Sequence, residues 1–67
     1  MDVRRRVGLN VKRLREAKGL SQEAFAFEAG VHRTYISGVE RGLRNPTITV
    51  LEKVAKALKA DTADLLR

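Results

Sequence analysis

Residues 33–37 read Arg-Thr-Tyr-Ile-Ser, and this run holds the most informative chemistry in the chain. With Ile36 and Val39 on the inner side of a helix, Arg33, Thr34, Ser37 and Gly38 fall on the other side, within its first two turns. An arginine placed there can donate two parallel bonds to the O6 and N7 edge of guanine. A threonine can touch a thymine methyl or a phosphate, and a serine can donate to a base or a backbone oxygen. Arg33 is the strongest candidate for a base contact. Arg41, Arg44, Asn45 and Thr47, in or beside the loop that follows, suit phosphate contacts that fix register. Tyr35 either packs its ring under the helix or reaches a phosphate with its hydroxyl, and the residues leave both open.

Other chemistries lack their residues. Cys is absent and His32 is the single histidine, so thiolate nucleophiles and thiolate or histidine-rich metal sites have no ligands, and neither metal nor cofactor is expected. A Ser/His pairing can be written only from Ser21 or Ser37 with His32, and a 67-residue chain offers no cleft to hold it. The chain is therefore expected to be no enzyme and to take no small-molecule ligand. His32, at the start of the helix, can cap it, touch a phosphate or stand in solvent.

The charge is basic, with 14 Lys and Arg against 8 Asp and Glu for a formal +6. The basic residues form two groups: Arg4, Arg5, Arg6, Lys12, Arg13, Arg15 and Lys18 near the start, and Arg33, Arg41 and Arg44 in the middle. A polyanion fits two such groups brought together by folding, while the total alone equally suits a solubilising surface. No apolar run approaches the roughly 18–20 residues of a membrane span, and the start lacks a signal-peptide pattern, so a cytoplasmic protein without membrane contact is expected.

The elements that must position these groups read as helices throughout. Val3, Val7, Val11 and Leu14 form a stripe over 3–18, which Asp2 can cap and Gly19 can end; Gly8 and Asn10 lower its intrinsic propensity. Ser21 caps a second segment carrying Phe25, Ala26, Phe27 and Ala29 and closing at Gly30. A third runs from near His32 to Arg41. Thr47, after Pro46, caps a fourth with Ile48, Val50, Leu51, Val54, Ala55 and Leu58, and Asp61-Thr62-Ala63-Asp64 has capping-box spacing before a short fifth with Leu65 and Leu66. One all-α domain over 1–67, a compact five-helix bundle, is the expected fold.

The second and third helices carry a more specific pattern. Two short helices cross steeply over a tight turn only when small residues lie under the crossing and the turn accepts a left-handed backbone. Ala26 and Gly30 meet those needs, and Val31, Ile36 and Val39 point back to the core that Phe25 and Ala29 share. This is helix-turn-helix spacing over 22–41. An ordinary helical corner would share the glycine, yet has no reason to set basic and hydroxyl residues on the outer face.

The strings Gly19-Leu20-Ser21-Gln22-Glu23, Ala29-Gly30-Val31, Arg33 to Gly42, Arg44-Asn45-Pro46 and Leu51 to Leu58 resemble the phage-repressor-like (XRE, Cro-type) helix-turn-helix family over residues 7–66. Within it, the run from His32 to Arg41 with the Arg44-Asn45 loop is most similar to the controller proteins of restriction-modification systems. The resemblance implies that Gln22 grips a phosphate and that Arg15 and Glu40 form an internal ion pair orienting the third helix. Where family members often carry a long polar side chain, this sequence has Gly38, which is expected to permit close backbone approach instead.

A single module reads about half a turn of duplex, so a homodimer on a palindromic operator is expected, with half-sites about 10 bp or a multiple of that apart. Leu65, Leu66 and Val50 are the candidate interface residues. A double-stranded-DNA-binding transcriptional regulator follows, of restriction-modification controller type. The alternative is an antitoxin-type or phage-type repressor whose main role is protein interaction with autorepression.

Overall fold

The computed structural model describes residues 2–67, which form five helices: α1 (Val3–Ala17), α2 (Gln22–Ala29), α3 (Arg33–Glu40), α4 (Ile48–Ala57) and α5 (Thr62–Leu65). No strand occurs among the described residues. α1 packs against α3 and α5, α2 against α3 and α4, and α4 against α5. The bundle is thus held from both ends of the chain, with α3 gripped between α1 and α2.

Local chemistry sets the starts. The Asp2 carboxylate accepts from the Arg4 amide at 2.7 Å, Ser21 Oγ from the Ala24 amide at 3.0 Å and Thr47 Oγ1 from the Val50 amide at 3.2 Å. Each satisfies one of the amides that a helix start leaves without a partner. At α5 the Asp64 carboxylate accepts from the Asp61 amide at 3.0 Å. His32 precedes α3 without a side-chain capping bond, so of the three roles open to the imidazole capping is not the one it takes.

The ends follow one rule. After α1 the Leu20 amide donates to the Arg15 carbonyl and the Gly19 amide to the Glu16 carbonyl; the same pair of bonds recurs after α2, α3 and α4. This closure requires one residue with positive φ. Gly19, Gly30 and Gly42 supply it at 69°, 73° and 75°, and Lys59 does so at 54° after α4.

The core gathers Phe25, Ile36, Leu58, Leu65, Val11, Val39 and Val54, all essentially without solvent exposure, around small Ala26, Ala29 and Ala55. Small residues under the α2–α3 crossing let the helices close on each other, as the spacing predicts. Phe27 and Ile48 stand 86% and 76% exposed, because the inner faces of α2 and α4 are already filled by Phe25, Ala29, Val54 and Leu58. The propensity cost at Gly8 and Asn10 has a structural return: a β-carbon on Gly8 would lie 2.7 Å from the Glu40 carbonyl oxygen, and Asn10 Nδ2 donates to the Leu65 and Arg67 carbonyl oxygens at 2.9 and 3.0 Å.

Candidate nucleic-acid interface

The site is built from the inside of the bundle outward. Arg15 on α1 and Glu40 on α3 are buried, and Arg15 Nε donates to Glu40 Oε2 at 2.6 Å while Nη2 donates to Oε1 at 3.1 Å. Arg15 Nη1 donates to the Leu20 carbonyl oxygen at 2.7 Å, so the guanidinium also holds the turn before α2. Two parallel bonds fix angle as well as distance, which a point charge cannot do. Hydrogen bonding to Glu40, opposed by burial, raises the Arg15 pKa. No buried side-chain polar atom among the described residues lacks a partner.

Gln22 joins this network. Its Nε2 donates to Glu40 Oε1 at 3.0 Å, so the amide expected on a phosphate is turned toward the α1–α3 pair. One amide hydrogen and the carbonyl oxygen remain free for a second partner. The consequence is a three-helix clasp: one side chain from α1 and one from α2 both donate to the single Glu40 carboxylate of α3.

With its inner side fixed, α3 leaves Arg33 and Thr34 exposed and Ser37 half-buried. Arg41, at the end of α3, and Arg44, Asn45 and Thr47 beyond it are also exposed. Gln22, a further candidate, is half-buried. The Thr47 oxygen accepts in the α4 cap, which leaves its hydroxyl hydrogen free. The lone His32 stands exposed at the head of α3.

Tyr35 packs against the core with its ring half-buried, and the Arg44 guanidinium carbon lies 5.6 Å from the ring centroid. Such a cation over an aromatic face is attracted by the ring quadrupole. Gly38, expected to offer a bare backbone, is buried instead: a β-carbon there would lie 2.7 Å from Arg44 Cγ. A long side chain from the next turn has filled the empty space. No periodicity argument within α3 can show this, because the residue comes from outside the helix.

Two of the N-terminal arginines have partners near the chain ends, while Arg5 lies beside the turn after α3, its Cα 3.2 Å from where a Gly42 β-carbon would be. Arg4 donates to the Asp2 carboxylate at 3.2 and 3.0 Å, which is the main cause lowering the Asp2 pKa to about 2. Arg6 Nη1 reaches the Leu66 carbonyl oxygen at 3.4 Å. Among the candidate interface residues, Leu66 is 41% exposed and Val50 half-buried, but Leu65 has no exposed surface. Leu65 is corrected to a core residue: a four-residue helix needs an inward anchor, and Leu65 is that anchor.

Comparison with known proteins agrees with this architecture. A helix-turn-helix family profile matches residues 11–65. The chain is 46% identical over 66 residues to the control protein C.BamHI of Bacillus amyloliquefaciens, covering 97% of this chain and 82% of that protein. It is 44% identical to the control protein C.SmaI of Serratia marcescens, covering 98% and 79%. Among solved structures, the restriction-modification controller protein C.AhdI from Aeromonas hydrophila superposes with a TM-score of 0.90 at 44% identity, covering 92% of this chain and 94% of that one.

Proposed function

The chain belongs to the helix-turn-helix family, and from that premise we propose that it is a sequence-specific, double-stranded-DNA-binding transcriptional regulator of restriction-modification controller type. The observation that carries the reading is the Arg15–Glu40–Gln22 clasp, which fixes α3 from inside while Arg33, Thr34 and Ser37 face out. A helix so oriented can enter a major groove and set Arg33 against a guanine edge. Arg41, Asn45, Thr47 and the free hydrogen of Gln22 contact phosphates on either side and hold the register. Tyr35 adds its hydroxyl to that set. The action is binding, without catalysis, on DNA in the cytoplasm.

Size argues for a homodimer. The described residues extend 28 × 22 × 21 Å with one recognition helix, short of the about 34 Å between successive major-groove segments on one face of the duplex. Two copies related by a twofold axis span that distance and read an inverted repeat. Leu66 and Val50 supply apolar surface for the contact.

The reading is tested by titrating duplex DNA selected from a random pool. Affinity is expected to fall steeply with salt, and Arg33→Ala to cost about 1–3 kcal/mol on the selected site while relaxing one base pair per half-site. Binding that ignores both salt and Arg33 overturns it. Sedimentation of the complex gives the stoichiometry, for which two chains per site are expected.

A further inference from the structure

Gly38 lies one helical turn after Thr34, in the row from which α3 addresses its surroundings, and it has no side chain to offer. The space is nevertheless occupied. Arg44 Cγ, Nε and Cδ lie 2.7, 3.4 and 3.6 Å from where a Gly38 β-carbon would be, and the guanidinium continues over the Tyr35 ring at 5.6 Å from its centroid. Tyr35 and Gly38 are three residues apart and so are neighbours on the helix surface. The turn that delivers Arg44 is tied to the same spot: the Leu43 amide donates to the Gly38 carbonyl oxygen at 2.9 Å, and the Gly42 amide to the Val39 carbonyl oxygen at 3.1 Å. The Arg44 stem thus lies in a notch made by the missing Gly38 side chain and walled by Tyr35.

A loop arginine whose task is to meet a phosphate needs no such seat. Seating the stem on the recognition helix carries the guanidinium toward the groove that the helix occupies, and stacking on Tyr35 limits the rotamer freedom that a long side chain must surrender on binding. We propose that Arg44 is a specificity-determining residue: laid across Gly38 and Tyr35, it stands in for the side chain that α3 lacks and reads a base edge beside those read by Thr34 and Ser37. The inference rests on the DNA-reading function of α3 and adds a base contact, from outside that helix, to it. Gly38 is then the residue that admits Arg44, and Tyr35 the one that aims it.

Site selection from random duplex DNA, run in parallel on the wild-type protein and on Arg44→Ala, Arg44→Lys and Gly38→Ala, tests this. The wild type is expected to yield a motif. Arg44→Ala is expected to lose preference at one base pair per half-site, with discrimination there falling about 5- to 150-fold, while the remaining positions keep theirs. Arg44→Lys fails at the same position, because an ammonium cannot make the bidentate contact. Gly38→Ala relaxes that position too, since the new methyl displaces the Arg44 stem, and its unchanged or raised melting temperature shows that the fold is intact. If Arg44→Ala weakens every sequence equally and leaves the motif whole, Arg44 is a phosphate contact and the proposal is overturned, with the function of α3 untouched. If the wild type selects no motif, the DNA-reading function and this inference fall together.

Discussion

Gly8 on α1 lies directly against the Val39 carbonyl oxygen on α3, so that a β-carbon at position 8 would overlap it and would sit 2.7 Å from the Glu40 carbonyl oxygen as well. Both obstacles are backbone and neither can swing aside. Gly8→Ala gains about 1 kcal/mol of helix propensity, but overpacking of a closed interface typically costs about 1–3 kcal/mol and more when backbone must move. A net loss of about 1–2 kcal/mol is expected, lowering the melting temperature by about 4–8 °C per kcal/mol in a domain of this size. A melting temperature that rises would show that α1 and α3 are free to separate.

The clasp at Glu40 makes a sharper case. Its side chain is 3% exposed and that of Arg15 10%, so Glu40→Ala strands a guanidinium away from water. Loss of one partner of such a buried pair costs about 3–5 kcal/mol, whereas replacing both by apolar residues is often neutral. Urea unfolding is expected to show Glu40→Ala strongly destabilised and the double variant Arg15→Met with Glu40→Leu recovering most of the loss. Equal losses in the single and double variants would mean that packing, not charge, holds this corner.

Lys59 takes the left-handed conformation that glycine takes at the other three helix ends, with φ 54°. An L side chain there costs roughly 1–2 kcal/mol, part of which glycine returns through greater freedom of the unfolded chain. Lys59→Gly is therefore expected to stabilise the domain by up to about 1 kcal/mol, measured by thermal or urea unfolding. A destabilised variant would mean that the Lys59 side chain contributes more than its backbone costs.

Asp2 carries a pH dependence of definite sign. Hydrogen bonds from the Arg4 side chain and amide lower its pKa from 3.8 to about 2 in the folded protein. A group depressed on folding stabilises the structure above its unfolded value and loses that effect as pH falls through the folded value. The start of α1 is expected to hold above about pH 4 and to loosen toward pH 2, and Arg4→Ala to return the carboxyl toward its ordinary midpoint. NMR titration of the Asp2 carboxyl carbon reads this directly, and an unshifted midpoint in the wild type would refute it.

Much of the fold was legible in the sequence because caps and turns are local. Ser21, Thr47, Gly19 and Gly30 act within four residues of where they stand, so helix limits could be read to about one residue. The clasp was legible differently: Arg15 and Glu40 are 25 positions apart, and only the resemblance to a known family joined them. Gly8 and Asn10 looked like weak points in α1, since their cost is local and their return is paid by α3 and α5. Leu65 and Leu66 could not be sorted into inner and outer, because a four-residue helix is too short for a periodicity to show. Arg44 was read as a loop residue, as it is, but its seat on Gly38 depends on how the chain turns back after α3.

The Asn10 amide bridges to the carbonyl oxygens of Leu65 and Arg67, 55 and 57 positions away. A single turn of helix such as α5 has no stability of its own, and its terminal carbonyls find donors on α1 rather than in a cap of their own making. α1 and α5 are therefore expected to open as one unit: whatever frees α1 releases α5, and a substitution in either is felt in the other. The first and last helices thus guard each other, although no covalent cross-link joins them.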